Sequence, residues 1–168
     1  MMCQSRIYSL DPVIDRRARV LVLGSIPGRE SLLKQEYYAN PRNHFWKIIF
    51  KIFMEPEREA YHERIQFLKE RRIALWDVIG SCHREGSLDA NIKDATPNDL
   101  LGLLKSYPSI RLIAFNGGKA YTTFKKSFGQ LIEGVQLVKL PSTSPVPGKN
   151  VKPFDEKVKK WQMIKAVL

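Results

Sequence analysis

Four short apolar runs, each parted from the next by a stretch with helical spacing, leave this chain few folds to choose from. RVLVL (19–23) is rich in aliphatic and β-branched residues and ends at Gly24, the pattern of a buried parallel strand feeding a loop. RIALWDVIG (72–80), IRLIAFNGG (110–118) and VQLVKL (135–140) repeat that pattern. Between and after them, helices are predicted over 43–53, 56–70, 98–107, the last started by Pro97 and Asn98, then 118–128 and 155–168. Strands alternating with helices demand a parallel sheet, because right-handed crossovers lay the helices against both of its faces. The expectation is an α/β fold: a three-layer α/β/α sandwich around a four-stranded parallel sheet, with residues 1–168 forming one domain.

In such sheets ligands gather beyond the carboxyl ends of the strands. Those ends carry GSIPG (24–28), DVIGSCHREGS (77–87), FNGGK (115–119) and PSTSPVPG (141–148), so every unusual segment falls on one rim. A fifth segment, YYANPRNHFW (37–46), follows the first strand by one loop and brings aromatics, carboxamides and a cation together, equipment suited to a planar polar ring.

Composition narrows the partner. With 28 Lys+Arg against 17 Asp+Glu the formal charge is +11, which attracts phosphates and makes binding sensitive to salt. The basic residues are scattered, so any one cluster is as readily solvated surface as a binding patch. No apolar run approaches the roughly 20 residues that span a bilayer, and residues 1–17 carry no secretory h-region. A cytoplasmic, membrane-free monomer is the default expectation. Cys3 and Cys82 read as free thiols in a reducing compartment, and together with His44, His62 and His83 they lack the paired spacings of a zinc site. No metal and no cofactor are expected.

Taken one by one, the rim residues leave alternatives open. Gly24 and Gly28 permit close backbone approach and Ser25 adds a hydroxyl, yet GSIPG is also a plain strand-exit loop, and it is neither a Walker loop nor a dinucleotide fingerprint. Gly117 leads into a helix N-terminus that can favour anions, Asn116 is either a helix N-cap or a ligand contact, and Lys119 is a phosphate clamp or a solvated amine. Ser142, Thr143 and Ser144 lie in a loop stiffened by Pro141, Pro145 and Pro147, which could grip a backbone phosphate at little entropic cost. Asp77, at a strand terminus, could read a ring N–H or cap a turn, and Glu85, Asp89 and Asp94 read as solvated loop carboxylates. His83 beside Cys82 does not make a triad.

In that order the segments VLGSIPGRESL, YYANPRNHFW, ALWDVIGSCHREGSLDANI, FNGGKAY and LPSTSP resemble the uracil-DNA glycosylase superfamily over nearly the whole chain, and most closely its hypoxanthine-DNA (DNA-deoxyinosine) glycosylase branch. The resemblance implies a monofunctional enzyme, acting on double-stranded DNA, that flips out a deaminated base and hydrolyses its N-glycosidic bond. Mismatch-type relatives carry an Asn before the Pro of the first motif; Ile26 stands there. By this resemblance Asn43 is the first candidate to position the attacking water and Asn40 the second, while Tyr38 stacks on the base and Phe45 and Trp46 anchor the following helix. Asp77, Asn116, Gly24 and Ser25 would line the base site; Ser142, Thr143, Ser144, Gly117 and Lys119 would meet DNA, and Val146 or a proline would wedge the duplex. Leu140 replaces the His or Asn that often precedes the Pro of the second motif. The rival readings are the same reaction on uracil, xanthine or mismatched thymine, and a non-catalytic nucleic-acid-binding module.

Overall fold

The computed structural model describes residues 6–129, 132–145 and 151–168. A parallel sheet forms from β2 (Val20–Gly24), β3 (Ile73–Asp77), β6 (Leu112–Asn116) and β7 (Gln136–Leu140), in the order β3-β2-β6-β7. The alternation within β2 explains its unbroken apolarity: Val20 and Val22 face one layer, Leu21 and Leu23 the other, and all four are fully buried. Each such side chain contributes roughly 1.5–3 kcal/mol, so a polar residue on either face would be costly.

On the first face pack α2 (Phe45–Ile52), α3 (Tyr61–Glu70) and α6 (Phe154–Trp161), through Phe45, Ile49, Phe67 and Trp161. On the second lie α4 (Leu100–Ser106) and α5 (Gly118–Phe128), through Leu100, Ala120 and Phe124. This is the three-layer sandwich expected from the sequence. The helix over 118–128 forms as predicted. The others differ at their ends: α2 is shorter than 43–53, residues 56–60 stay outside α3, which opens at Tyr61 behind Ala60, and the closing segment leaves α-geometry after Trp161 for a 3-10 turn, Gln162–Val167, that buries Ile164. α4 opens one turn-cap later than its sequence suggests, because the Asp99 carboxylate, not Asn98, accepts from the Gly102 amide.

A second sheet was not foreseen. RIALWDVIG breaks at Val78, whose amide donates to the Gly24 carbonyl; beyond it β4 (Ile79–His83) leaves the parallel sheet and pairs antiparallel with β1 (Ile7–Tyr8) and β5 (Lys93–Pro97). β5 is exposed throughout and ends in proline, so it carries neither apolar alternation nor a run. Ile26 packs on Ile79 and Cys82 in a small third cluster, which ties the loop after β2 to the second sheet. The short α1 (Arg29–Lys34) follows it, unannounced by periodicity because it is only six residues long.

Candidate active site

The carboxyl ends of β2, β3 and β6 open into a cavity of about 500 Å³. Gly24, Ser25, Tyr38, Asn40, Asn43, Asp77, Asn116 and the 142–145 loop all line it, so the structure gathers most of the predicted residues in one place. Gly117 and Lys119 are not among them.

Asp77 is the site's electrostatic centre. It ends β3, is 4% exposed, and its Oδ2 is the single buried side-chain polar atom left without a partner among the described residues. Burial pushes its carboxyl up to about 7, with the negative charge of Asp89 adding to the shift and the Arg84 guanidinium opposing it. Its Oδ1 presses against β2 at Gly24, where a Cβ would come within 2.7 Å. Any side chain there would evict the carboxylate, which is why this strand must end in glycine.

Tyr38, held at a positive φ of 55°, stacks on Phe45 with ring centroids 4.1 Å apart. Burial, and then the charge of Asp77, hold its phenol above the ordinary range, so the hydroxyl stays protonated. Asn116 is committed to neither a helix cap nor solvent: its Nδ2 donates to Tyr38 Oη (3.2 Å) and Thr143 Oγ1 (2.9 Å), and its Oδ1 accepts from the Thr143 amide (2.9 Å). Gly117, at φ 96°, occupies the cap position instead.

Asn40 and Asn43 are rigid. Asn40 Oδ1 accepts from the Arg42 amide and Asn43 Oδ1 from the Phe45 amide, both at 2.9 Å, and the Asn43 amide donates to the Asn40 carbonyl. These turns hold both carboxamides at the start of α2, facing the cavity. Each carbonyl oxygen keeps a second lone pair.

Two expectations for the DNA-facing loops need correction. Thr143 is fully buried, with its hydroxyl on Asn116 and its carbonyl accepting from the His44 amide, so it pins the 142–145 loop to α2 instead of gripping a phosphate. The Gly117 amide donates to the carbonyls of Phe115 and Leu140, so Gly117 itself has no donor left to offer a phosphate, and a Cβ there would lie 3.1 Å from Ser142 Cβ. Lys119 is exposed on α5 outside the cavity. Val146 lies outside the described residues, as does Cys3, and Cys82 is a buried free thiol. Phe45 and Trp46 are buried at 0% and 3% exposure, as their anchoring role requires.

Sequence reasoning missed the wall opposite. Ser25 donates to Asp89 Oδ1 (2.7 Å), Ser87 Oγ accepts from the Arg29 amide (2.8 Å), and the buried Arg84 donates to the carbonyls of Pro27 (2.7 Å) and Gly86 (2.9 Å). These bonds fold the 84–89 segment over GSIPG. Three of the four join partners 57 to 64 residues apart, beyond the reach of any local pattern.

A parallel sheet whose loops enclose a pocket with an aromatic ring, carboxamides and a carboxylate is, with the family match, the architecture of a DNA N-glycosylase. The chain belongs to the uracil DNA glycosylase superfamily, whose family model matches residues 12–165. It is 45% identical over 109 residues to a hypoxanthine DNA glycosylase of Methanosarcina acetivorans, covering 64% of this chain and 69% of the relative. A hypoxanthine DNA glycosylase of Methanosarcina barkeri is 40% identical over 110 residues, covering 65% and 70%. The solution NMR structure of a candidate uracil DNA glycosylase from Methanosarcina acetivorans superimposes with a TM-score of 0.78 at 35% identity, covering 96% of this chain and 97% of that one. No helix among the described residues is long and apolar enough to cross a membrane.

Proposed function

We propose that the protein removes hypoxanthine from deaminated adenine sites in double-stranded DNA, hydrolysing the N-glycosidic bond and leaving an abasic site. The observation that carries this reading is the unpartnered carboxylate oxygen of Asp77, a buried residue in the wall of a cavity with room for a purine. Hypoxanthine presents an N1–H where adenine presents a lone pair. An ionised Asp77 accepts from the first and repels the second, which separates damaged from normal purine by the cost of leaving a buried acceptor unpaired. The names of the two Methanosarcina relatives point the same way.

In this reading the flipped base lies against Tyr38, whose ring supplies stacking without base selection. Asn43 Oδ1 holds the attacking water; its amide is no general base, but an oxygen already fixed by the Phe45 amide orients the nucleophile as the C1′–N bond lengthens. Asn40 is its nearest substitute. Asn116, locked between Tyr38 and Thr143, shapes the pocket edge that meets the leaving purine, and Ser142 and Ser144 border the DNA-facing lip. We take residues 1–168 to act as one catalytic unit and as a monomer, in a reducing cytoplasm compatible with the free thiol of Cys82.

The test uses duplexes that each contain a single inosine, uracil or xanthine, treated with alkali after incubation to reveal abasic sites. Release from inosine above the others is the expected result. Preference for uracil or xanthine would reassign the substrate, and binding without release from any duplex would make the protein a non-catalytic module. Strand cleavage without alkali would indicate lyase chemistry by an amine such as Lys119.

A further inference from the structure

At the opposite end of the sheet, the amino ends of three neighbouring strands each begin with an arginine. Arg72 precedes β3, Arg19 precedes β2 and Arg111 precedes β6. The registers Val20↔Ile73 and Val20↔Leu112 set these three residues in one row, on strands roughly 4.8 Å apart. The backbone seals the row: the Arg19 amide donates to the Arg72 carbonyl and the Arg111 amide to the Arg19 carbonyl, both at 2.8 Å. Arg16 and Arg17, from the turn before β2, and Ser109 complete a basin of about 420 Å³.

The protein's own structure makes little use of this charge. Among the described residues only Arg17 of the five has a salt bridge, to Asp15 at 3.0 Å; Arg111 donates to the Pro108 carbonyl, and Arg19 only reaches the Val167 carbonyl at 3.5 Å. Like charges aligned across strands repel. Arg72, at φ 64°, is the left-handed residue that ends α3, its amide donating to the Lys69 carbonyl, and that turn delivers it to the row. The lining has no aromatic ring to stack a base and no carboxamide or carboxylate to read one. What remains is a concave set of forked donors matched to phosphate oxygens.

We propose that this basin is a second phosphate-binding site, one that holds the backbone of a DNA segment other than the one presented to the base pocket. Strands of five residues separate the two ends by roughly 16 Å through the body of the protein, so one backbone track cannot lie in both. A protein gripping DNA at both poles bridges two segments and passes between them without returning to solution. The inference takes from the proposed function only that DNA is the polyanion at hand.

The experiment immobilises an undamaged duplex on beads, adds protein at low salt and measures capture of a second, labelled duplex. The variant Arg19→Gln/Arg72→Gln/Arg111→Gln should lose capture at least tenfold while its excision rate on a short inosine duplex stays within twofold, and the corresponding triple Lys variant should retain most of the capture. Tripolyphosphate titration by calorimetry forms the second arm. Binding of tripolyphosphate that the Gln variant loses, with capture unchanged, would assign the same phosphate site to a free polyphosphate. If the Gln variant melts like the parent and loses neither capture nor tripolyphosphate binding, or if the parent shows neither, the site does not exist. A parent that excises nothing yet loses capture through these substitutions would fail the proposed function and leave this site standing.

Discussion

The two ends of the parallel sheet handle polarity in opposite ways. At the carboxyl end most polar groups are at least partly buried and bonded to one another: Asn116 holds Tyr38 and Thr143, Ser25 holds the exposed Asp89, and among the described residues Asp77 Oδ2 alone is buried without a partner, in a side chain that lines the cavity. At the amino end Arg16, Arg17, Arg19, Arg72 and Arg111 are exposed and draw little from one another or from acids. Bond-breaking needs groups fixed in place before the substrate arrives, and that takes a network. Holding a polyanion needs only charge and shape, which water-exposed arginines provide. Substitutions should therefore act through chemistry and stability at one end, and through salt-dependent association at the other.

The largest expected effect is at Asn43. Asn43→Ala should lower single-turnover release of hypoxanthine by about 10²–10³-fold while changing duplex affinity little, because the role proposed for it is to position water and not to contact DNA. Unchanged release in that variant would move the role to Asn40, where the same measurement on Asn40→Ala decides.

Next comes Asp77, through pH. Its carboxyl is pushed up to about 7, so the carboxylate proposed to accept N1–H is populated above that value and lost below it. Hypoxanthine release should rise through pH 7, and Asp77→Asn should abolish that step along with most discrimination against adenine. The sign for stability is opposite. With the folded pKa above the ordinary 3.8, the protonated form favours folding, so stability declines as pH climbs from about 4 to about 7, by on the order of 4 kcal/mol. Urea unfolding of Asp77→Asn across that range should show a flatter profile and a more stable protein at pH 8.

Packing at this end is as tight as its chemistry. Gly24→Ala would set a Cβ 2.7 Å from Asp77 Oδ1 and should cost about 1–3 kcal/mol of stability together with most of the activity. Asn116→Ala leaves the Thr143 amide without its acceptor and should cost about 1–3 kcal/mol, read as a lower thermal midpoint. The smallest effect belongs to the other end. Arg19→Gln alone should leave stability within about 0.5 kcal/mol and inosine release unchanged, while the slope of log affinity against log salt for undamaged DNA falls by about one.

Legibility followed the range of the interactions. β2, β3 and β6 were visible because each is a local apolar run buried on both faces, β7 because Leu137, Val138 and Leu140 keep it apolar although Gln136 and Lys139 are exposed, and the helix at 118–128 because its period is contained within it. Tyr38, Asn40, Asn43, Asp77 and Asn116 were legible as candidates because they sit at strand ends or in a segment too polar and aromatic for core alone. The second sheet was not, since β5 is exposed over its whole length and gains its order from pairing with β4. Nor were the inward turn of Thr143 and the row of arginines. Residues 19, 72 and 111 look scattered along the chain and become neighbours only through strand register.

By itself, then, the sequence determined the layering, the strand order's parallel sense, the rim on which a site could form and the chemical types available there, because hydrophobic period and residue chemistry are local properties. Tertiary structure alone decided which of those groups are spent and which are left over. A carboxylate becomes a reader of bases only when burial strips its water and no neighbour replaces it, and that depends on contacts such as Gly24 with Asp77 and Asn116 with Thr143, which no stretch of chain contains.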